Sequence, residues 1–418
     1  MLVKVETYGC SLNQADSEVI AGILAEAGHE IVDEKPDLIV VNTCTVKTPT
    51  ERKIKKRLRR LAGEHALVLV AGCLPAAQKE VVEEFPKFSF IGVNSLDARE
   101  AVKEIEDGKR YVNISADQCK LGAPRIIRNN TVGIIPISQG CLGSCTYCIT
   151  RIARGRLKSY SIECVVGETK KLLDLGCREL WLTSQDNGCW GHDFGKKLPQ
   201  LIDEVCAVEG DFMLRVGMMN PQHALNMIDG LCKSFQNPKV YKFMHIPVQS
   251  GSNKILQDMN RGYTAEEFEK LASIIYKRLD ATISTDVILG YPTETEEDFQ
   301  ETVGLIERVR PDVLNISRFW PRPNTIAEKE EGFVSRITKD RSRIMNQVHR
   351  KIRLENNRKW IGWRGEVLVS ERGKEDSWVG RNIRYKPVII NSSENILGGR
   401  MNVEVVGATQ YDLRAKIV

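Results

Sequence analysis

Along the first 120 or so residues, apolar runs of strand length alternate with stretches whose apolar positions recur at helical spacing. Residues 2–6 alternate like a strand. Residues 13–27 place Val19, Ile20, Ile23 and Leu24 on one helical face, with Gly28 as a C-cap. Residues 37–41 read as a buried strand, a basic helix follows, and residues 66–70 read as a third strand. The order βαβαβα predicts an open parallel sheet with helices on both faces. A second alternation predicts strands at 132–138, 179–183, 212–217, 242–248, 282–289 and 313–319, separated by helices such as 264–279 and 295–309. Six βα units predict a partial (βα)6 barrel whose site lines the C-terminal ends of its strands. Beyond a Lys/Arg-rich helical connector at 335–358, strand patterns at 363–370, 377–381, 387–391, 401–409 and 412–417 predict a small β-barrel. The expected architecture is α/β: an N-terminal open parallel sheet domain (1–122), a central partial barrel (130–352) and a C-terminal β-barrel (357–418). A chain of 418 residues needs more than one core.

Composition narrows the class. No apolar run approaches the roughly 20 residues of a membrane span, and the N-terminus opens as a strand, not a signal peptide. A cytoplasmic chain is expected, so its 12 cysteines point to metal or redox chemistry before disulfides. The net charge of +5 permits an anionic partner without requiring one. The run KTPTERKIKKRLRR, Lys47 to Arg60, concentrates charge on the helix after Cys44. It is either a solvated face or a docking place for a phosphate backbone.

The sharpest chemical signal is SQGCLGSCTYCIT, residues 138–150, which sets Cys141, Cys145 and Cys148 in a C-x3-C-x2-C array. At this cysteine content roughly 0.01 such triplets are expected by chance. Three thiolates on one loop can wrap a metal centre and leave one coordination position open. Tyr147 adds an aromatic wall. In the N-terminal domain, Cys10, Cys44 and Cys73 each fall just past a predicted strand end, so the parallel sheet carries them to one edge. That predicts a second iron–sulfur cluster, again with three protein ligands. Polar residues also gather at the central strand ends: Thr183-Ser184-Gln185-Asp186, Arg215 to Pro221, His245 to Ser252, Ser284-Thr285-Asp286, and Arg318, Trp320 and Arg322. They suit a zwitterionic ligand bearing a ribose and an adenine.

The cysteine loop at the end of a first barrel strand resembles that of the radical S-adenosylmethionine (SAM) enzymes, and more narrowly the methylthiotransferase family. Cys10, Cys44 and Cys73 match that family's N-terminal triad. Its barrel segments match Arg154-Gly155-Arg156, Leu182 to Asp186, Arg215 to Pro221, His245 to Ser252, Thr285 to Gly290 and Arg322-Pro323. Most similar is the archaeal and eukaryotic branch acting on threonylcarbamoyladenosine in tRNA. Departures occur at Cys189-Trp190 (often Ala-Tyr), Met219 (usually Thr) and Asn324 (usually Gly), expected to touch pocket lining and not cluster ligands.

The resemblance implies two 4Fe–4S clusters, on Cys141, Cys145 and Cys148 and on Cys10, Cys44 and Cys73. One SAM would be cleaved to a 5′-deoxyadenosyl radical and a second would donate a methyl group. The radical would take hydrogen from carbon 2 of an adenine, and the second cluster would carry the sulfur. Tyr147, Ser184, Gln185, Asp186, Arg215, His245, Gln249, Ser250, Thr285 and Asp286 are the expected SAM-pocket residues, with His245, Gln249 and Ser250 nearer the reacting centre. The C-terminal barrel resembles the TRAM module, where Arg364, Arg381, Arg384, Tyr385, Lys386 and Arg400 would meet RNA. Expected partners are the tRNA anticodon loop, an external electron donor and a sulfur source, with no membrane, for a monomer. The alternatives are methylthiolation of isopentenyladenosine or of a ribosomal protein aspartate, or a non-catalytic iron–sulfur RNA-binding or sensor protein.

Overall fold

The computed structural model describes residues 1–64, 66–115, 119–330 and 335–418. Strands β1 (Leu2–Thr7), β2 (Glu30–Ile31), β3 (Leu38–Thr43), β4 (Leu67–Gly72), β5 (Ser89–Ile91) and β6 (Val112–Asn113) form one sheet in the order β2-β1-β3-β4-β5-β6. Every pairing in it is parallel. Central β3 is buried at all six positions because helices cover both faces. Ile20 and Leu24 of helix Ser11–Glu26 pack with Val40 and Leu69 on one side. On the other, Ile54 and Leu58 of the basic helix Thr48–Gly63 pack with Ile39, Val41, Val68 and Val70.

The central unit begins with β7 (Val132–Pro136). The predicted strand 132–138 breaks here: β8 (Ser138–Gln139) instead pairs antiparallel with β9 (Lys158–Ser159), closing the base of the cysteine loop. Five parallel strands follow, β10 (Glu179–Thr183), β11 (Met213–Val216), β12 (Phe243–His245), β13 (Thr282–Leu289) and β14 (Val313–Arg318). They lie in two three-stranded sheets, β11-β10-β7 and β12-β13-β14, joined by the single bridge Leu214↔Val240. The partial barrel stays open between its outer strands, β7 and β14. Residues 246–248, expected in the fourth strand, run past the short β12 without extending it. The outward strand faces, with helices such as Ala265–Leu279 and Glu296–Val309, bury the large apolar core. Both of these helices start with capping boxes, from Thr264 and Thr295.

Strands β15 (Arg364–Arg372), β16 (Ser377–Asn382), β17 (Pro387–Asn391), β18 (Arg400–Ala408) and β19 (Leu413–Ile417) close into a barrel in the order β15-β16-β17-β19-β18. The two outer units sit at opposite ends of the central one. The sheet domain caps the C-terminal strand ends, where Ser11 Oγ meets Thr183 Oγ1 at 2.9 Å and Arg125 lies buried between Glu18 and Glu168. The C-terminal barrel plugs the N-terminal ends. Tyr385 donates to Glu179 at 2.9 Å and its ring meets those of Tyr241 and Phe243. Lys386 pairs with Asp312 at 2.6 Å. Among the described residues no helix is long and apolar enough to cross a membrane.

Candidate active site

The mouth of the central barrel holds a cavity of about 410 Å³ lined by Cys141, Cys145 and Cys148. Backbone geometry dictates the loop's shape. Gly140 has φ +75°, and a Cβ there would lie 2.0 Å from the Arg156 carbonyl oxygen, so only glycine delivers Cys141 at this point. The Gly143 amide donates to Cys141 Sγ at 3.2 Å, and Arg261 Nη1 donates to Cys145 Sγ at 3.1 Å. A thiolate accepts both bonds well, the second with an opposite charge beside it. Cys141 is held below the usual thiol range, chiefly by a hydrogen bond from Cys189 and against its burial.

Cys10, Cys44 and Cys73 do converge, as parallel strands require. Asn13 Oδ1 lies 3.8 Å from Cys10 Sγ and 3.9 Å from Cys73 Sγ. Its amide donates to the carbonyls of Tyr8 and Thr43, tying the loops that carry Cys10 and Cys44. Gly9 (φ +117°) and Gly72 (φ +95°) precede two of the cysteines. A Cβ on Gly9 would lie 2.7 Å from Cys44 Cβ, and one on Gly72 would lie 2.4 Å from Asn42 Oδ1. Burial pushes the Cys44 thiol up to about 11 and raises Cys73 as well. The opposing charge is Arg154, buried, donating to Cys73 Sγ at 3.4 Å and to Asn13 and Asp16 at 2.8 Å. Lys120 completes a buried ion network on Asp16 at 2.6 Å. Burial alone would raise Asp16; Lys120 and Arg154 outweigh it and hold the carboxyl low.

All 12 cysteines are free thiols. Both triads fit a metal cluster: Cys141, Cys145 and Cys148 line one cavity, Cys10 and Cys73 gather about Asn13 with Cys44 against Gly9, and Arg154 keeps Nη1 buried with no partner among the described residues beside the second triad. The helix that leaves the loop, Thr150–Arg154, packs against Cys73–Ala77 through Ile149, Ala153, Cys73 and Ala77.

Of the expected SAM-pocket residues, Tyr147, Gln185, Asp186, Gln249 and Asp286 line the cavity. Gln185 Oε1 is buried without a partner among the described residues. Burial would raise Asp286, but hydrogen bonds from His245 (2.9 Å) and Asn315 (2.7 Å) and the charge of Lys47 hold it low. His245 therefore stands behind Asp286. Four residues lie elsewhere. Ser184 donates to Asn187, Ser250 bonds Thr302, and Thr285 donates to the Ile246 carbonyl. Arg215 stacks between Trp181, Phe243 and Tyr385 at the plugged end, because β11 turns it into the lumen below the mouth.

Other expectations change. Cys189 touches the loop triad and not only pocket lining: its thiol lies against Cys141 and donates to the Asp186 carbonyl at 3.1 Å. Trp190 and Met219 belong to the core. Asn324 has φ +64°, a conformation Asn tolerates where glycine is usual. In the C-terminal barrel, Arg381, Arg384, Tyr385, Lys386 and Arg400 are spent on ion pairs and contacts that dock or brace that barrel, not left free for RNA. Arg364 pairs with Glu404 but stays exposed. Sequence reasoning missed Arg261, Asn13 and the role of Arg154. The RGR motif at 154–156 was the only visible signal among them.

Family comparisons agree with this layout. Residues 2–92 match the uncharacterized protein family UPF0004, 135–306 the Radical SAM superfamily, and 359–418 the TRAM domain. A Pyrococcus horikoshii protein named "Probable threonylcarbamoyladenosine tRNA methylthiotransferase" is 43% identical over 396 residues, covering 93% of each chain. The Mus musculus threonylcarbamoyladenosine tRNA methylthiotransferase is 36% identical, over 99% of this chain and 74% of its own. In fold, the chain is similar to the radical SAM methyltransferase TsrM of Kitasatospora setae (TM-score 0.57, 17% identity, 78% of this chain and 76% of that one). At 43% and 36% identity over nearly the whole of its length, the chain belongs to the threonylcarbamoyladenosine tRNA methylthiotransferase family of radical SAM proteins.

Proposed function

We propose that this protein adds a methylthio group to carbon 2 of N6-threonylcarbamoyladenosine beside the tRNA anticodon, giving 2-methylthio-N6-threonylcarbamoyladenosine. The observation that carries this reading is the full-length similarity to relatives so named, with both cysteine triads in place. Cys141, Cys145 and Cys148 would hold a 4Fe–4S cluster able to supply an electron to SAM, and Cys10, Cys44 and Cys73 would hold a second, able to supply sulfur chemistry. Gln185, Gln249 and Asp286 orient SAM, with Asp286 kept ionised by His245 and Asn315 to accept from ribose hydroxyls. Tyr147 walls the loop from solvent. Arg261 donates to Cys145 Sγ and Arg154 to Cys73 Sγ, placing a cation beside each triad to balance the charge a metal-bound thiolate would carry. Trp320, Phe319 and Val46 offer apolar surface to a base turned out of the anticodon loop. The protein works as a cytoplasmic monomer with an external electron donor and sulfur source. Mass spectrometry of tRNA nucleosides with and without the gene tests the reading. Loss of the 2-methylthio form with accumulation of threonylcarbamoyladenosine is expected; an unchanged level would overturn the substrate.

A further inference from the structure

The cavity is lined by more cations than a SAM site alone employs: Lys47, Arg151, Arg261, Arg318 and Arg322. Three are already committed. Arg322 is buried on Glu51, Thr45 and Thr48; Arg261 serves Cys145 and Tyr263; Arg151 donates to the Gly143 carbonyl at 3.1 Å. Lys47 and Arg318 are different. Among the described residues neither side chain has a carboxylate within ion-pair distance, and both are exposed to the cavity's open side. They come from separate domains. Lys47 stands three residues past Cys44, on the approach to helix Thr48–Gly63, and Arg318 ends β14. Arg318 lies 5.6 Å above the Trp320 ring, which holds its guanidinium in place at the mouth. Asp286 in the same lining feels the charge of Lys47 but takes its hydrogen bonds from His245 and Asn315, so the ammonium keeps its donors for a ligand.

We infer that Lys47 and Arg318 select the substrate by clamping the free carboxylate of the threonylcarbamoyl substituent, while Trp320 and Val46 receive the base. This rests on the substrate proposed above and names the residues that recognise it. The chemistry is discriminating because a threonylcarbamoyl group ends in a carboxylate, whereas an isopentenyl group is wholly apolar. Two cations with no carboxylate in ion-pair distance favour the first and leave the second facing unpaired charge. Placing one cation on each domain also means that the substituent is gripped only where the sheet domain and the barrel meet, at the cavity that the loop triad lines.

The test compares the binding of two anticodon stem-loop RNAs, one with threonylcarbamoyladenosine and one with plain adenosine at the same position, to the full-length protein. The readout is the ratio of their affinities, by fluorescence anisotropy. Wild-type protein should prefer the modified RNA about ten-fold. Lys47→Met and Arg318→Met should each cut that ratio several-fold, the double variant should bring it near one, and Lys47→Arg should keep most of it. Equal weakening of both RNAs, with the ratio intact, would mean phosphate contacts and overturn the inference alone. So would a ratio untouched by the substitutions. A wild-type protein with no preference would overturn the substrate reading and this inference with it.

Discussion

The two cysteine triads are alike in number and opposite in construction. Cys141, Cys145 and Cys148 lie within eight residues on a loop shaped by Gly140 and Gly143, so their convergence is nearly a local property. Cys10, Cys44 and Cys73 are spread over 64 residues of sequence and meet only because β1, β3 and β4 are parallel neighbours. The loop triad opens onto the cavity. The sheet-edge triad keeps Cys10 exposed, while Cys44 and Cys73 are buried and backed by Asn13 and the network of Arg154, Asp16 and Lys120. A local site survives damage to the fold around it. A site assembled from strand ends inherits the stability of the whole domain interface.

That contrast can be broken at several points. The largest effect is expected from the cysteines: Cys141→Ala should abolish 5′-deoxyadenosine formation, measured by chromatography of an anaerobic reaction. Cys44→Ala should keep that product and lose methylthiolation, and a variant still methylthiolating would sink the division of labour. Next comes Arg154→Met. Removing one partner from a buried ion network costs about 3–5 kcal/mol, here concentrated on Asp16. Denaturant unfolding should register the loss, and iron analysis should fall toward half, with the loop triad still loaded. Equal iron loss from both triads would contradict the contrast. A similar but smaller destabilisation, about 2–3 kcal/mol, is expected from Arg322→Ala, which leaves buried Glu51 with Gln78, Thr45 and the more distant Lys55 at 3.6 Å but without its buried cation.

A fall in pH should act on both triads equally. His349, buried on the helix Ser335–Arg358, accepts no proton easily: burial lowers it to about 4. Its unfolded form binds a proton below pH 6.5 while the folded form does not, so stability is complete above that value. It should fall by roughly 2–4 kcal/mol as pH drops from 6.5 to 4. Urea titrations at pH 7 and 4.5 should reveal the slope, and His349→Gln should flatten it.

Much of the fold was legible because its signals are local. The apolar runs at 179–183, 282–289 and 387–391 coincide with β10, β13 and β17 residue for residue. The cysteines were legible too, the loop by spacing and the other three by their place after strand ends. What sequence could not supply was the direction in which a polar side chain points. Thr285 and Ser250 sit beside the mouth yet spend their hydroxyls on nearby backbone and helix groups, a frequent fate of short hydroxyls at strand ends. Arg215 was drawn to the opposite end by aromatic faces from two domains. Arg261 reaches Cys145 across 116 positions, a contact with no periodicity to betray it. The basic and aromatic residues of the C-terminal barrel promised RNA contacts, but the barrel's own docking consumes most of them.

The short helix Thr150–Arg154 has a further consequence. It begins two residues past the loop ligand Cys148 and ends on the arginine that meets Cys73, rising about 1.5 Å and turning about 100° per residue between them. The separation and facing of the triads are therefore written into chain length. Pocket residues can be exchanged one for another and leave that ruler intact. A single inserted or deleted residue between Cys148 and Arg154 would swing the guanidinium off its thiol, so this segment should be the least forgiving of length variation anywhere in the molecule.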